Sequence, residues 1–189
     1  ASSAASDVYK RQLGANDGGK VTLHRNNELV ETTDDMAGLT RRYTDKAIEY
    51  LEDQRDPEKP FLLYLAHTMM HTIIDASPEF KEKTGDNLYR AVVEEFDYET
   101  GRLLEKLDQL GLRKNTLVIY TTDNGPWNQP KYYENKKGHP GNSIFWGDAG
   151  PFRDGKASLY EGGSHVPCLM RWPGTVSYTH LTLPTKQMV

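Results

Sequence analysis

The stretch NTLVIYTTDNG, residues 115–125, decides how the rest of the chain is interpreted. Residues 117–120 form an unbroken apolar run with β-branched side chains, which is typical of a strand buried on both faces of a sheet. Asp123 and Asn124 follow at its carboxyl end, where open α/β sheets hold their ligands. A carboxylate oxygen beside an amide oxygen suits a hard cation such as calcium or magnesium, although Asp-Asn-Gly is also a common turn sequence.

Length and composition indicate a globular domain. The chain has 189 residues, of which 37% are apolar and 26% are charged, enough for one sizeable core. A net charge of −4 argues against a nucleic-acid binder, and no apolar run reaches the length of a transmembrane helix. The single cysteine, Cys168, excludes an internal disulfide and any multi-cysteine metal site.

The two ends are set apart from the fold. Residues 1–19 and 176–189 resemble translated adaptor read-through, and they show no periodicity that continues inward. The alternative is a pair of disordered natural termini. On either interpretation the natural protein is expected to extend beyond this chain, and residues 20–175 are expected to form a partial domain.

Hydrophobic periodicity predicts the elements between the ends. Two alternating runs around Asn26-Asn27 predict a hairpin over residues 20–31. Helices are predicted over residues 39–51, with caps at residues 33–35, and over residues 87–110, with Asp86 as the cap and Gly111 as the end. Further apolar runs predict buried strands at 61–66 and 166–170.

The second helix suggests how the strands are arranged. It connects the strand at 61–66 to the strand at 117–121, and a crossover of this length is typical of a right-handed βαβ unit with parallel strands. Both strand ends then point the same way. We therefore expect His71 and the Asp123-Asn124 pair to lie on one rim of the sheet. Residues 127–155 show no period and are interpreted as a long surface loop.

Five motifs follow one another along the chain: PFLLYLAH at 60–67 with His71, TDNGP at 122–126, GPFRDGK at 150–156, EGG at 161–163, and VP at 166–167 with RWPG at 171–174. Taken in this order, they resemble the sulfatase family. The resemblance implies an α/β fold, the alkaline-phosphatase-like α/β/α sandwich with a largely parallel central sheet, incomplete here. It also implies a bound calcium ion and hydrolysis of sulfate esters through a formylglycine nucleophile made from a cysteine or serine.

The resemblance also implies roles for individual residues. Asp123 and Asn124 match the metal ligands at the end of the central strand. Lys156 matches the lysine that grips the sulfate oxygens, and His71 matches the histidine that binds sulfate and helps the leaving oxygen depart. The charges agree with these roles, since an ammonium group attracts sulfate and a histidine titrates in the useful range. The plainer alternatives are a solvated surface lysine and a structural histidine.

Several parts of the family pattern are absent. The chain lacks the nucleophile motif, Cys or Ser followed by x-Pro-Ser-Arg, and the early pair of metal-binding aspartates. Met70 stands where the family usually has Pro, and His165 where it usually has Arg. Cys168 lies inside an apolar strand, where a buried neutral thiol is expected. The chain is therefore interpreted as the carboxyl-side part of a catalytic domain.

Two other functions stay open at this stage. A phosphodiesterase or phosphatase of the same superfamily would share the fold, but such sites are generally built around two metal ions. A degenerate member would keep the fold as a non-catalytic binding module. The substrate that the resemblance implies is a small-molecule or carbohydrate sulfate ester, and the implied compartment is periplasmic, extracellular or lysosome-like.

Overall fold

The computed structural model describes residues 12–13, 21–25, 27–71, 74–85, 87–127, 147–173 and 175. The chain divides into two compact units, Ala1–Leu110 and Gly111–Val189. Among the described helices, none is both long and apolar enough to cross a membrane.

The first unit begins with the predicted hairpin. Strands β2 (Val21–Arg25) and β3 (Glu28–Thr33) pair antiparallel, with an irregularity in register between Leu23 and His24. A short strand β1, Gln12–Leu13, adds to β2 in antiparallel register, although it lies in the segment set apart from the fold. The side chain of Leu23 is buried, so β2 is the hairpin strand that faces the core.

The first predicted helix is confirmed, but its capping is not. Helix α1 spans Leu39–Glu49 and continues into a π-helical turn over Tyr50–Gln54. Its N-cap is Gly38, which makes no side-chain cap bond. The expected caps form the preceding turn instead, in which the Asp35 N–H donates to Thr33 Oγ1 at 3.0 Å. Short polar side chains compete in this way for nearby backbone groups.

The longest predicted helix is also confirmed. Helix α3 spans Leu88–Gln109, and the side chain of Asn87 accepts a hydrogen bond from the Arg90 N–H at 2.9 Å. The cap is therefore one residue after the predicted Asp86, which lies outside the described residues. Gly111 follows the helix with φ +70°, a left-handed conformation in which a side chain would be strained.

A hydrophobic core joins the hairpin to the helices of the first unit. Helix α2, Pro78–Thr84, contributes Phe80, and the other helices contribute one face each. The core residues are Leu23, Met36, Leu39, Met69, Ala76, Phe80, Ala91 and Val92.

Two buried carboxylates of α3 tie the helices together. Glu95 accepts hydrogen bonds from the Ser77 N–H, at 2.8 Å, and from the Ser77 hydroxyl, at the start of α2. Glu99 has a fully buried side chain and pairs with Arg102 at 2.6 Å and with Arg41 at 3.4 Å. Arg41 and Arg102 keep 38% and 32% of their side chains exposed, so the two arginines share the charge of the buried Glu99 while remaining in contact with water.

The predicted strand at 61–66 is not formed. Its side chains alternate between half-buried and exposed, and Leu62 and Tyr64 are 86% and 88% exposed. The period of two is that of a strand with one covered face, but no strand of the described residues pairs with it. The predicted βαβ unit is therefore wrong for this structure, because α3 does not connect two paired strands.

The second unit contains one strand pair, and its direction corrects the expected parallel sheet. Strand β4, Val118–Thr121, pairs antiparallel with β5, Cys168–Arg171. All strand pairs in the described part of the chain are antiparallel. Burial on both faces was also wrong, since Ile119 is 53% exposed. Likewise Cys168, in the partner strand, is only half-buried. Strands pair through their edges, so the pairing of β4 with β5 does not by itself cover either face of the sheet.

Candidate functional site

Two loops of the second unit meet next to β4. The Gly125 N–H donates to the Gly163 carbonyl oxygen at 2.9 Å, and the Lys156 N–H donates to the Pro126 carbonyl oxygen at 2.7 Å. Residues 122–127 are thereby fixed to residues 153–163. The backbone of Lys156 lies against the turn that carries Asp123 and Asn124, so three predicted site residues share one small region.

Glycines make this contact possible. A Cβ atom on Gly125 would lie 2.9 Å from the carbonyl carbon of Gly162 and closer still to its oxygen. A Cβ atom on Gly162 would lie 2.5 Å from the Arg153 carbonyl oxygen, and one on Gly163 would lie 2.6 Å from the Gly155 carbonyl oxygen. These distances are shorter than any real Cβ contact. Gly125 therefore lets the two loops approach by backbone alone, and Gly162 and Gly163 let residues 153–163 fold closely upon themselves.

Aromatic side chains brace the loop around Lys156. The guanidinium carbon of Arg153 lies 3.6 Å from the ring centroid of Tyr160, a cation–π contact. Phe152 and His165 stack with their centroids 3.9 Å apart and an interplanar angle of 22°. The short helix α4, Glu161–Ser164, connects Tyr160 of the first contact to His165 of the second. Both contacts close the loop upon itself and limit the positions that Lys156 can take.

The backbone around Lys156 is strained. Asp154 has φ +65° and Ala157 has φ +71°, so non-glycine residues adopt left-handed conformations on both sides of the lysine. For alanine this conformation costs about 1–2 kcal/mol. Asp154 offsets part of the cost, because its carboxylate accepts a hydrogen bond from the Gly155 N–H at 2.9 Å. Strained residues of this kind persist where the surrounding structure fixes them, as it does here.

The acid–amide pair offers oxygen donors to a cation. Asp123 is exposed and Asn124 is half-buried, and the Thr122 hydroxyl donates to the Asn124 carbonyl oxygen at 3.3 Å. Carboxylate and amide oxygens fit the chemistry of calcium, which takes 6–8 oxygen ligands. Among the described residues, no group of three or more His, Cys, Asp or Glu side chains could hold an ion. The pair thus fits a calcium site in kind and supplies only part of the ligand set.

His71, the candidate site histidine, and its neighbour His67 lie in the first unit and differ in environment. His71 is exposed, and its N–H donates to the Thr68 carbonyl oxygen at 3.0 Å. His67 is half-buried, with its ring edge-on to Phe96 at 4.8 Å and to Tyr43 at 5.9 Å. Burial lowers the pKa of His67 from 6.5 to about 4. His67 is therefore neutral at neutral pH, whereas His71 is the one accessible to a ligand.

A separate cavity of about 190 Å³ lies beside α1 in the first unit. None of its lining residues is a predicted site residue, and Arg42 in its wall is paired with Glu31 at 2.6 Å. The lining residues are Leu23, Leu39, Arg42, Tyr43, Asp45 and Lys46. This cavity is a gap over the hairpin and carries none of the predicted chemistry.

Sequence reasoning found three residues that the structure brings together and missed what holds them. Asp123, Asn124 and Lys156 lie on adjoining loops of the second unit. His71 belongs to the first unit, so its convergence with them stays a prediction. The backbone interlock was missed, although the glycines at 125, 162 and 163 were visible in the sequence. The backbone contacts thus bring a lysine and a pair of possible oxygen ligands onto adjoining loops.

The chain belongs to the sulfatase family. A family model described as Sulfatase matches residues 4–185, nearly the whole chain. The resemblance inferred from the motifs is thereby confirmed.

Curated relatives agree with the family model. The chain is 41% identical over 149 residues to the steryl-sulfatase of Mus musculus, an alignment that covers 79% of this chain and 22% of that protein. It is 34% identical over 157 residues to arylsulfatase G of Mus musculus, covering 82% of this chain and 29% of that protein. The chain therefore spans less than a third of the length of these relatives.

Solved structures extend the comparison to the fold. The PsFucS1 sulfatase from Pseudoalteromonas sp. superposes with a TM-score of 0.63 at 25% identity, covering 85% of this chain and 31% of that one. Ps i-CgsB, in complex with k-i-k-neocarrahexaose, superposes with a TM-score of 0.62 at 26% identity, covering 80% and 31%. These sulfatase neighbours imply an alkaline-phosphatase-like α/β fold.

Proposed function

We propose that the chain is the carboxyl-side part of a sulfatase catalytic domain, and that the intact protein hydrolyses sulfate esters. The observation that carries this proposal is the hydrogen bond from the Lys156 N–H to the Pro126 carbonyl oxygen, which brings the lysine loop against the Asp123-Asn124 turn. Residues 20–175 form the partial domain, and its fold in the intact protein is proposed to be the alkaline-phosphatase-like α/β/α sandwich. The end segments 1–19 and 176–189 lie outside that domain.

Each site residue then has one task. Lys156 binds the sulfate oxygens through its ammonium group, and the strained, braced loop restricts where that group can lie. The proposed task of His71 is to bind sulfate and to give a proton to the departing alcohol oxygen. Asp123 and Asn124 supply oxygen ligands to calcium, which when bound offsets the negative charge of the sulfate group.

The remaining machinery is proposed to lie upstream of residue 20. It comprises the formylglycine nucleophile and the further metal ligands, since the chain holds neither the nucleophile motif nor the early aspartates. A small-molecule or carbohydrate sulfate ester is the proposed substrate class. The names of the relatives support both kinds, because one is a steryl-sulfatase and one solved structure holds a neocarrahexaose.

The experiment compares this chain with the longer protein that contains it, using an aryl sulfate and calcium. The longer protein is expected to hydrolyse the aryl sulfate, whereas this chain alone is expected not to. In the longer protein, Lys156→Ala should lower kcat/KM by about 10²–10³. Asp123→Ala should abolish the calcium-dependent activity.

Two matched variants control for the loss of charge alone. Lys114→Ala removes an exposed lysine of the 3₁₀ turn Arg113–Asn115, and Asp97→Ala removes an exposed carboxylate of α3. Both should leave turnover within about twofold of the parent. Full activity of Lys156→Ala or Asp123→Ala would contradict the proposed role of that residue in the site. Metal-dependent turnover by this chain alone would place the chemistry here rather than upstream.

A further inference from the structure

The segment His67–His71 is fastened to the first unit at two points. The ring of His67 lies edge-on against Tyr43 of α1 and Phe96 of α3, so it joins both helices. Met69, two residues on, is 5% exposed and belongs to the hydrophobic core. His71 then emerges at the surface, with its N–H bonded to the Thr68 carbonyl oxygen. The direction in which His71 leaves the core is thus set by anchors two and four residues earlier.

The buried ring of His67 is held as an aromatic body rather than as a hydrogen-bonding group. Its Nδ1 is buried and has no hydrogen-bond partner among the described residues. The buried carboxylates of α3 do not serve it, because Glu95 accepts from Ser77 and Glu99 pairs with Arg41 and Arg102. An unpaired nitrogen is destabilising, so what retains the ring in this position is its contact with two aromatic neighbours.

We infer that His67 is a positioning residue, whose aromatic clasp between α1 and α3 fixes the surface position of His71. The significance of that position for catalysis rests on the proposed function, but the positional coupling itself does not. The inference separates two histidines that lie four residues apart. In the proposed function His71 contacts the ligand, whereas His67 affects only the position of His71, through the turn between them.

The coupling is measured on this chain by NMR, with ¹³C-labelled histidine and amide hydrogen exchange. His67→Phe keeps an aromatic ring in the clasp, and the His71 imidazole resonance and amide exchange should match those of the parent. His67→Ala removes the ring. The His71 resonance should then shift or broaden, and its amide should exchange at least about tenfold faster, because the bond to Thr68 opens locally.

A matched control removes a buried side chain elsewhere on the same helix. Leu107, near the other end of α3, is 5% exposed, and Leu107→Ala should leave the His71 resonance unchanged. If His67→Ala does not fold, Phe96→Leu carries the test, because it removes one wall of the clasp and leaves the histidine. An unmoved His71 resonance in the folded variant, or an equal change in Leu107→Ala, would overturn the inference. No sulfate ester enters the measurement, so a failure of the proposed function would appear only in the turnover assay.

Discussion

Replacing Gly125 by alanine tests whether the backbone interlock holds the two site loops together. The added Cβ would lie 2.9 Å from the Gly162 carbonyl carbon, whereas carbon atoms pack at roughly 3.5–4.0 Å. The loops would have to separate by roughly 1 Å, which breaks or stretches the 2.9 Å bond between the Gly125 N–H and the Gly163 oxygen. Losing that bond costs about 0.5–1.5 kcal/mol, and overpacking adds about 1–3 kcal/mol. A total destabilisation of about 1.5–4.5 kcal/mol is expected.

The assay is urea unfolding, combined with amide exchange at Lys156, whose N–H is bonded across the interlock to Pro126. Gly101→Ala is the matched control. It makes the same substitution in the middle of α3, where a Cβ meets nothing within 4 Å, and should stabilise the helix by about 1 kcal/mol. The free energy of unfolding should therefore fall in Gly125→Ala and rise in Gly101→Ala. Parent-like stability of Gly125→Ala, with unchanged protection at Lys156, would refute the interlock.

Three further predictions concern the histidines and the metal. The pKa of about 4 for His67 lies below its ordinary 6.5, so the unfolded chain binds the proton more tightly than the folded chain does. The stability that depends on neutral His67 is fully present above about pH 6.5 and falls by at most about 3 kcal/mol as the pH drops toward 4. Urea midpoints measured across this range should show the fall in the parent and lack it in His67→Phe. In the longer protein, His71→Ala should slow sulfate-ester turnover by roughly 10²–10⁴ and His67→Ala by much less, so equal losses would contradict the assignment. Calorimetry should find that this chain alone binds calcium more weakly than about 10⁻³ M, because Asp123 and Asn124 supply two of 6–8 ligands.

Local patterns predicted the helices and the hairpin well. Helix α3 has an apolar stripe, a capping asparagine and a terminal glycine, all of which act within a few residues of the chain. The hairpin likewise depends on the turn around Asn27. Interactions of short range can be inferred from sequence, since the residues involved are neighbours in any compact fold.

The sheet was predicted poorly because strand pairing depends on residues far apart in the chain. The apolar runs at 61–66 and 117–120 indicate side chains suited to burial, and they do not specify the partner or its direction. In the described structure Leu62, Tyr64 and Ile119 are largely exposed. The antiparallel pairing of β4 with β5 follows from the return of the chain through residues 147–167, a path that periodicity does not encode.

The residues of the candidate site were named from the sequence, and the contacts that hold their loops together were missed. Asp123, Asn124 and Lys156 could be named from residue type and motif. The contact between their loops consists of carbonyl and N–H groups, which every sequence contains, so only the glycines signal it. The aromatic contacts of His67 could not be inferred either, because they require Tyr43 of α1 and Phe96 of α3 to lie on either side of its ring.

The charge of this chain bears on how the proposed site would attract a sulfate group. A net charge of −4 would repel the proposed sulfated substrate at long range, and salt at physiological strength screens this field within about 8 Å. Attraction therefore has to come from cations placed within a few ångströms of the sulfate oxygens. A long flexible lysine provides this only if its backbone is fixed, because freedom in the loop adds to the freedom of the side chain. The interlock of Gly125 with residues 162–163, the strained conformations beside Lys156 and the braces at Arg153 and Phe152 all restrict that backbone. Loosening the loops should accordingly weaken sulfate binding even when every charged group is retained.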